Sequence, residues 1–456
     1  MFFIQTRQAF IRKPCIRWLS SLNTQFQIKP KLDYALISSN KSTFEQNMLN
    51  RKYNKIDMDQ FAVLYQKRLD IYNQLKELNA ERNKLSMAVK TAKGQEKHDL
   101  IERGKGIKIK AKAYEDDLKE VETELLAKGL MIPNTTHPDV PIGPEENARV
   151  LKTVGTPRTG NNLKDHLQIT ADLNLLDLEQ AAITSGSSFY YLQGMGAFLE
   201  LALINYAMHK AASKGFFGVL TPDIVRTSVA YGCGFQPRSD ENSQIYHIQS
   251  NNGSQLCLAG TAEIPLAGKF AEKTFKEAQL PQKLVGFGHA FRTEDGGRGV
   301  EPKGLYRVHQ FSKVEFFAVT TAEQSEAMME EIRSVQEDIF SELGLCFRVL
   351  DMPTEELGAS AYRKYDIEAW MPGRNSWGEI SSTSNCTDYQ SRRLGIRYRK
   401  AHNENQQLFC HTLNGTAMAV PRVIIAILET FQQDDGTVRI PKVLRKWLPG
   451  EPEYIQ

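Results

Sequence analysis

The chain has 456 residues, of which 41% are hydrophobic, so it is long enough for more than one domain and apolar enough for a globular core. Its formal net charge is only +3, which excludes a global basic field, and any nucleic-acid surface must therefore be local. The six cysteines are scattered singly, without a CxxC or Cys/His cluster, which argues against zinc and against a disulfide framework. We expect a reduced intracellular protein without membrane spans, because the longest apolar run of its body, residues 423–428, is far too short.

The N-terminus is basic and free of acids. Residues 1–32 carry six basic side chains, with phenylalanines and isoleucines spaced seven residues apart. This composition is typical of a mitochondrial transit peptide, whereas a secretory signal would need a long apolar segment. A disordered basic tail is the alternative. We therefore expect localisation to the mitochondrial matrix, with cleavage between about residue 18 and residue 35.

Residues 56–128 show two seams of apolar residues at heptad-like spacing, separated by a short break at residues 91–94. Such seams predict an antiparallel hairpin of two helices in a coiled coil. The first seam consists of Leu64, Ile71, Leu78 and Leu85, and the second of Ile107, Ala111, Tyr114, Leu118, Val121 and Leu125.

The region around the hairpin tip is basic. Between Arg82 and Lys112 lie ten basic residues against three acidic ones, a net charge of +7, while the base of the second helix is acidic. A charge run is often only a solvated face. A basic tip on a rigid arm, however, also suits contact with a phosphate backbone, which positions nucleic acid without reading its bases.

Several proline and glycine residues follow the hairpin closely and indicate a linker. We predict a transit peptide at 1–32, an N-terminal domain at 33–135, a connecting segment at 136–189 and a catalytic domain at 190–456. Strand-like and helical runs alternate in the last of these, as in α+β folds. Neither GxxxxGK[ST] nor GxGxxG is present, which disfavours the two common glycine-loop nucleotide folds.

The stretch Phe291–Phe317 predicts two strands joined by a glycine-rich loop. Period-2 geometry puts Arg292 and Glu294 on one face of the first strand. It also places five residues on one face of the second strand: Arg307, His309, Phe311, Lys313 and Glu315. This face is either an exposed sheet surface or the floor for a charged, flat ligand, and we favour a nucleotide floor.

This stretch resembles motif 2 of the class II aminoacyl-tRNA synthetases, in the form found in the seryl-tRNA synthetase family. Four further segments resemble that family's motif 1, serine loop, second ATP segment and motif 3, in that order: residues 220–222, 261–263, 379–393 and 414–422. The hairpin resembles the family's tRNA-binding arm. The likeness covers roughly residues 56–450, and the transit peptide together with residues 352–357 is most similar to the mitochondrial branch.

The resemblance implies a catalytic domain with an antiparallel sheet flanked by helices, and a homodimer formed through motif 1. It also implies the function: activation of L-serine with ATP, followed by transfer of serine to the 3′ end of tRNA(Ser). A non-catalytic paralogue that binds nucleic acid or protein is the alternative. A class II synthetase for another amino acid is disfavoured by the arm, which most other members lack.

The resemblance assigns an ATP site in which Arg292, Glu294 and Arg422 are catalytic. Arg292 is implied to hold the α-phosphate, and Glu294 the amino side of adenine. Phe311 is implied to stack on the base, while Arg422, at the start of an apolar helical run, suits the γ-phosphate. The full set is Arg292, Thr293, Glu294, Val308, Phe311, Glu379, Ile380, Ser381, Ser382 and Arg422.

The remaining assignments also follow from the resemblance. Glu379 and Ser382 are implied to bind Mg²⁺, a hard cation that prefers oxygen donors, and no zinc is expected. The serine pocket is implied to consist of Thr261, Ala262, Glu263, Glu315 and Thr416, with Glu315 and Thr416 near the substrate hydroxyl. The tRNA-binding arm is implied to use Lys93, Lys97, Lys105 and Lys108.

Overall fold

The computed structural model describes residues 28–53, 56–235, 244–249, 253, 255–294 and 304–456. Most of the predicted transit peptide and most of the motif 2 loop, residues 1–27 and 295–303, lie outside the described residues. The described chain divides into two compact units. The first comprises Leu32–Gln46 and residues 56–132, and the second Ile28–Lys31, residues 47–53 and Pro133–Gln456. The domain boundaries inferred from the sequence remain predictions.

Four helices come first along the described chain: α1 (Tyr34–Ser39), α2 (Lys41–Asn50), α3 (Met58–Thr91) and α4 (Gly94–Met131). The carboxylates of Asp33 and Asp57 accept hydrogen bonds from backbone N–H groups in the first turns of α1 and α3, so these two helices begin with satisfied donors. Gly94 has a φ of +59°, a left-handed conformation that glycine adopts without strain. This conformation permits the short connection between α3 and α4.

Helices α3 and α4 form an antiparallel hairpin, as the heptad pattern predicts. Arg68 near the start of α3 pairs with Glu122 near the end of α4 at 2.9 Å, and Arg103 near the start of α4 pairs with Glu81 of α3 at 2.6 Å. Both pairs form only if the helices run in opposite directions. At about 1.5 Å per residue the two helices are about 51 and 57 Å long. The buried seam residues include Leu64, Ile71, Leu85, Ile107, Ala111, Val121 and Leu125.

The second unit contains the remaining strands and helices. In chain order the strands are β1 (Arg149–Val154), β2 (Leu176–Asp177), β3 (Tyr191–Leu192), β4 (Phe217–Leu220), β5 (Ile224–Arg226), β6 (His247–Ile248), β7 (Leu256–Leu258), β8 (Thr274–Lys276), β9 (Gln282–Phe291), β10 (Gln310–Thr320), β11 (Phe347–Asp351), β12 (Arg363–Met371), β13 (Ser376–Asn385), β14 (Arg397–Lys400), β15 (Asn403–Phe409), β16 (His411–Ala419), β17 (Val438–Arg439) and β18 (Tyr454–Ile455). The helices are α5 (His166–Asp172), α6 (Glu179–Ser185), α7 (Met195–Ser213), α8 (Thr227–Gly232), α9 (Glu263–Gly268), α10 (Ser325–Glu342), α11 (Tyr389–Leu394), α12 (Val420–Phe431) and α13 (Lys442–Arg445). No helix in the described part of the chain combines the length and the apolar composition needed to cross a membrane.

Eight strands form one sheet in the order β1-β11-β12-β13-β16-β10-β9-β4. Each neighbouring pair is antiparallel except β4 and β9, which are parallel. This confirms the predicted α+β class with an antiparallel sheet flanked by helices. Strand β1, which forms one edge of the sheet, lies within the segment 136–189 that the sequence assigned to a connection.

Strand β10 divides its side chains between two cores. Val314 and Phe316 pack into a large cluster with residues of α7, α10 and α12. Phe317 and Val319 pack into a second cluster, together with Leu266 of α9. Because side chains alternate along a strand, the odd-numbered residues of β10 share the second face. Phe311, Lys313 and Glu315 therefore lie on one face, as predicted.

The predicted ends of the two strands were wrong. β9 ends at Phe291, so Arg292 and Glu294 lie beyond it, and β10 begins at Gln310, so Arg307 and His309 precede it. The backbone leaves the extended conformation here, since Glu294 has a φ of +53°. The side chains of Arg292, Glu294, Arg307 and His309 are therefore placed by irregular backbone outside the strands and not by strand alternation.

Candidate active site

A cleft of about 570 Å³ opens where β10, β13 and β16 meet the start of α12. Nine of the ten residues predicted to bind ATP line it: Arg292, Glu294, Val308, Phe311, Glu379, Ile380, Ser381, Ser382 and Arg422. The tenth, Thr293, is not among the lining residues, and its backbone N–H donates to the carbonyl of Gln244 at 3.4 Å. Segments far apart in the sequence thus converge on one cleft.

One end of the cleft is built around Arg422 in the first turn of α12. Its Nη1 donates to the Glu379 carboxylate at 2.9 Å, and its guanidinium lies 4.6 Å from the centre of the Tyr306 ring. Burial opposes ionisation of Glu379, but the charges of Arg422 and Lys364 prevail and lower its pKa to about 2. Glu379 is therefore a carboxylate at every physiological pH. The Glu379 carboxylate and the Tyr306 ring together hold the Arg422 side chain at the start of α12.

The other end of the cleft carries an arginine above an aromatic ring. The Arg292 guanidinium lies 5.4 Å from the centre of the Phe311 ring, and its Nε donates to the carbonyl of Gly260 at 3.2 Å. Glu294 forms an ion pair with Arg307 at 2.7 Å. The face of Phe311 therefore lies beside a cation, and Glu294 lines the same cleft, so both charges are available to a flat ligand.

A cluster of buried polar residues adjoins the cleft and corresponds to the predicted serine pocket. Thr261, Ala262 and Glu263 lie at the start of α9 and are buried, and Glu315 of β10 pairs in register with Thr416 of β16. Thr416 also lines the cleft, so the pocket and the cleft share a wall.

Two amides hold the carboxylate of Glu263. Gln390 and Asn414 donate to its Oε1 at 2.6 and 2.8 Å. Burial, and next the charge of Glu315, raise the pKa of Glu263 to about 7. Lys313 and Arg292 oppose this rise only in part, so Glu263 suits a ligand that brings an ammonium group.

Lys313 connects the pocket to the cleft. It lines the cleft, its Nζ lies 2.9 Å from Oε2 of Glu315, and it donates to Oγ1 of Thr261 at 3.4 Å. The residue is buried. The cation thus contacts two of the five residues predicted to bind serine.

Four residues of the site received no role from the sequence: Tyr306, Lys313, Gln390 and Asn414. Lys313 lay on the predicted strand face, and Gln390 and Asn414 lay inside the motif segments. The sequence pattern could therefore have pointed to three of these residues. Tyr306 lies in a turn between two strands, where no periodicity indicates which side chains point inward.

The described residues contain no group of three or more His, Cys, Asp and Glu side chains arranged to hold a metal ion. Glu379 and Ser382 nevertheless line the same cleft and offer oxygen donors. Mg²⁺ commonly takes one or two protein oxygens and completes its shell with water and substrate phosphates. This pair therefore fits a magnesium ion that arrives with a nucleotide.

The four lysines of the predicted tRNA-binding arm belong to the other compact unit. Lys93 lies between α3 and α4, and Lys97, Lys105 and Lys108 lie on α4. All four are exposed, and Lys105 also pairs with Glu102 at 2.7 Å. These cations are accessible to a polyanion.

Known proteins resemble the chain along most of its length. The family descriptions "Seryl-tRNA synthetase N-terminal domain" and "tRNA synthetase class II core domain (G, H, P, S and T)" match residues 32–136 and 246–431. The serine–tRNA ligase of Treponema denticola is 45% identical over 418 residues, which are 91% of this chain and 97% of that protein.

Two further relatives extend the comparison. The mitochondrial serine–tRNA ligase of Schizosaccharomyces pombe is 43% identical over 431 residues, covering 92% of this chain and 88% of that protein. The crystal structure of seryl-tRNA synthetase from Pyrococcus horikoshii complexed with ATP superimposes with a TM-score of 0.85 at 34% identity, over 93% of this chain and 99% of that one. The predicted serine–tRNA ligase activity is thereby confirmed, and a non-catalytic paralogue is disfavoured. The chain belongs to the seryl-tRNA synthetase family of class II aminoacyl-tRNA synthetases.

Proposed function

We propose that the protein activates L-serine with ATP and transfers it to the 3′ end of tRNA(Ser) in the mitochondrial matrix, as a homodimer. One observation carries the assignment of the site: the cleft that holds the ATP residues shares a wall with a buried pocket containing two acids. A nucleotide in the cleft and an amino acid in the pocket would meet at Thr416 and Lys313.

Activation requires no protein nucleophile. A carboxylate oxygen of serine attacks the α-phosphorus, the bond to the bridging oxygen breaks, and pyrophosphate leaves. The 3′-terminal ribose hydroxyl of the tRNA then attacks the acyl carbon and AMP leaves. Catalysis is therefore positioning and charge stabilisation, which well-oriented groups in a water-poor cleft provide.

The family resemblance implies the roles of the ATP residues, and the charges that line the cleft support them. Phe311 stacks on adenine, with Glu294 at the amino side of the base. Arg292, beside Phe311, holds the α-phosphate where negative charge builds up during attack. Arg422 holds the γ-phosphate, assisted by the N-terminal end of α12.

The pocket recognises serine through its two polar ends. Glu263, held by Gln390 and Asn414, pairs with the α-ammonium, while Glu315 and Thr416 take the hydroxyl. A site built around a hydroxyl rejects alanine strongly, because its own buried polar groups would be left without partners.

Glu379 and Ser382 would hold Mg²⁺. When bound, this ion supplies charge neutralisation to the phosphate oxygens. The low pKa of Glu379, about 2, keeps its oxygens free of protons and available as hard ligands. Arg422 contacts the same carboxylate, so the ligand is oriented before nucleotide binds.

An apolar edge supports the homodimer. Strand β4, which contains Phe217 and Leu220, is the edge strand next to motif 1's proline, and these side chains are 69% and 79% exposed. Phe198 and Leu201 of α7 are also exposed. Exposed apolar side chains clustered near one edge are typical of a surface that another protein covers.

The mitochondrial assignment rests on the basic, acid-free N-terminus and on the likeness to the S. pombe mitochondrial ligase. Import of the full chain into isolated mitochondria should protect it from added protease. A chain lacking residues 1–27 should stay accessible, and equal protection of both would contradict a presequence.

Serine-dependent ATP–pyrophosphate exchange by the purified protein tests the enzymatic assignment. We expect exchange with L-serine and much less with alanine or threonine. Intact ATP binding without exchange would contradict the proposal and would restore the non-catalytic alternative.

A further inference from the structure

Glu315 lies in the serine pocket with one carboxylate oxygen unused. Its Oε2 is buried, and no hydrogen bond of favourable geometry reaches it from the described residues, although Lys313 and Thr416 both lie within reach of the carboxyl. Lys313 Nζ is only 2.9 Å away but is not aligned for a hydrogen bond. The ammonium therefore balances the charge of the carboxylate while leaving an acceptor open.

Lys313 has a second contact that ties it to the same pocket. Its Nζ donates to Oγ1 of Thr261, the residue that begins the serine loop. The lysine thus bridges β10, which contributes Glu315, and the segment immediately before α9, the helix that begins with Glu263. A cation at this position can set the distance between the two acidic halves of the pocket.

The Lys313–Glu315 pair is poorly suited to a purely stabilising role. Burial of two charges costs about as much as their attraction returns, unless hydrogen bonds are well aligned. A buried acceptor without a donor adds a further penalty.

We propose that Lys313 is a positioning residue for serine recognition, which supplies the countercharge of Glu315 and leaves Oε2 open for the hydroxyl of the substrate. The inference rests on the proposed function, which assigns that hydroxyl to Glu315 and Thr416. Burial raises the pKa of the Glu315 carboxyl, and the Lys313 charge opposes this rise. Lys313 therefore also favours the ionised form, which accepts a hydrogen bond and cannot donate one.

The test compares Lys313→Met with the wild-type full-length enzyme in pyrophosphate exchange. The KM for serine should rise at least about tenfold, as expected when a hydrogen bond to a charged group is lost. The KM for ATP should rise by a smaller factor, because Lys313 also lines the nucleotide cleft, and the affinity for tRNA should stay close to wild type. Equal rises in both KM values would overturn the inference, since a merely structural role would affect both substrates.

Lys283→Met provides a matched control. Lys283 of β9 is paired with Glu331 of α10 at 2.8 Å, and neither residue lines the cleft. Its loss should leave the KM values for serine and for ATP unchanged. A selective rise in the KM for serine in this control would overturn the assignment to Lys313.

A double-mutant cycle with Glu315→Gln separates this inference from the proposed function. If Lys313 acts through Glu315, then Lys313→Met should add less than about threefold in the Glu315→Gln background. Full additivity would overturn the inference. An unchanged KM for serine in Glu315→Gln alone would instead remove Glu315 from the proposed serine site.

Chemical rescue keeps the inference testable if the methionine variant does not fold. In Lys313→Ala, added ethylammonium should lower the KM for serine while leaving that of the wild-type enzyme unchanged. Absence of rescue in a variant that still binds ATP would overturn the positioning role.

Discussion

At the scale of single residues, the pocket places two carboxylates close together with few compensating charges. Glu263 accepts two amide hydrogen bonds, and Glu315 faces Lys313. Amide donors compensate a buried carboxylate only partly, whereas a cation compensates it more fully. Glu263 is therefore the acid that gains most from the α-ammonium of serine.

This difference predicts a pH dependence of serine binding. Because the pKa of Glu263 in the empty protein is raised from 4.5 to about 7, the carboxyl loses its proton as the pH rises through about 7. The ammonium of serine prefers the ionised form, so affinity should increase with pH through this range and then level off. Calorimetric titration in two buffers of different ionisation enthalpy should detect proton release below this pH.

The same shift fixes the sign of a stability effect. Between 4.5 and about 7 the folded protein keeps a proton on Glu263 that the unfolded chain has lost. The contribution of this group to the free energy of unfolding therefore falls as the pH rises through that window. Glu263→Gln should flatten both profiles, and unchanged profiles in this variant would contradict the assignment of the titration to Glu263.

Arg422 supports a second prediction at this scale. Lysine cannot bind the Glu379 carboxylate, stack on Tyr306 and reach a phosphate together, because it lacks the planar guanidinium. We expect Arg422→Lys to lower the kcat of pyrophosphate exchange by about 100-fold, comparable to the loss of one donor to a developing negative charge. The KM for serine should stay near wild type.

Arg374→Lys is the matched control for this variant. The Arg374 guanidinium lies 4.4 Å from the centre of the same Tyr306 ring but does not line the cleft. Exchange should continue at close to the wild-type rate. Equal losses in the two variants would indicate that packing on Tyr306, rather than phosphate binding, accounts for the effect.

At the scale of elements, periodicity was informative within helices and strands and misleading at their ends. The heptad seams predicted both arm helices, and the alternation along β10 predicted the shared face of Phe311, Lys313 and Glu315. Arg292 and Glu294 were assigned to a strand because an alternating pattern does not indicate the residue at which a strand ends. Their positions are set by the irregular backbone after Phe291, where Glu294 has a positive φ, and pattern reasoning does not describe such backbone.

The tRNA binding predicted for the arm can be measured separately from the pyrophosphate exchange predicted for the cleft. Neutralising Lys93, Lys97, Lys105 and Lys108 together should weaken tRNA binding and make it less dependent on salt, since fewer phosphates are contacted. Pyrophosphate exchange should remain at the wild-type rate, because this reaction needs no tRNA. Fluorescence anisotropy with tRNA and the exchange assay measure the two properties independently.

A control for the arm keeps the number of removed charges comparable. Lys67, Lys76 and Lys119 are exposed on the same two helices, outside the basic segment between residues 82 and 112. Their neutralisation should change tRNA affinity much less. Equal losses in the two sets would indicate a general charge effect instead of a binding tip.

At the scale of the whole molecule, the site is assembled from segments that lie between 43 and 151 residues apart in the sequence. Glu263 meets Gln390 and Asn414, and Arg422 meets Glu379 and Tyr306. Composition and periodicity predicted the class of fold and the arm, but neither indicates which distant segments meet. The order of several motifs supplied that information, because in the family those motifs share one cleft. Residues without a motif role, such as Lys313, are recognised as part of the site only from their distances to other site residues in the structure.

The quaternary structure gives the last prediction. The sheet has two edge strands, β4 and β1, and each exposes an apolar side chain: Leu220 is 79% and Val150 is 51% exposed. If β4 forms the dimer interface, Leu220→Asp places a charge without a partner in a desolvated surface, which is strongly unfavourable.

Sedimentation velocity should therefore show dissociation of Leu220→Asp at concentrations where the wild-type protein is dimeric. Val150→Asp introduces the same charge on the opposite edge strand and should sediment as the wild type. If both variants stayed dimeric, the interface would lie elsewhere, and if both dissociated, β1 would belong to it as well. Dissociation of the Leu220 variant alone would assign the exposed apolar edge of β4 to contact between two copies of the chain.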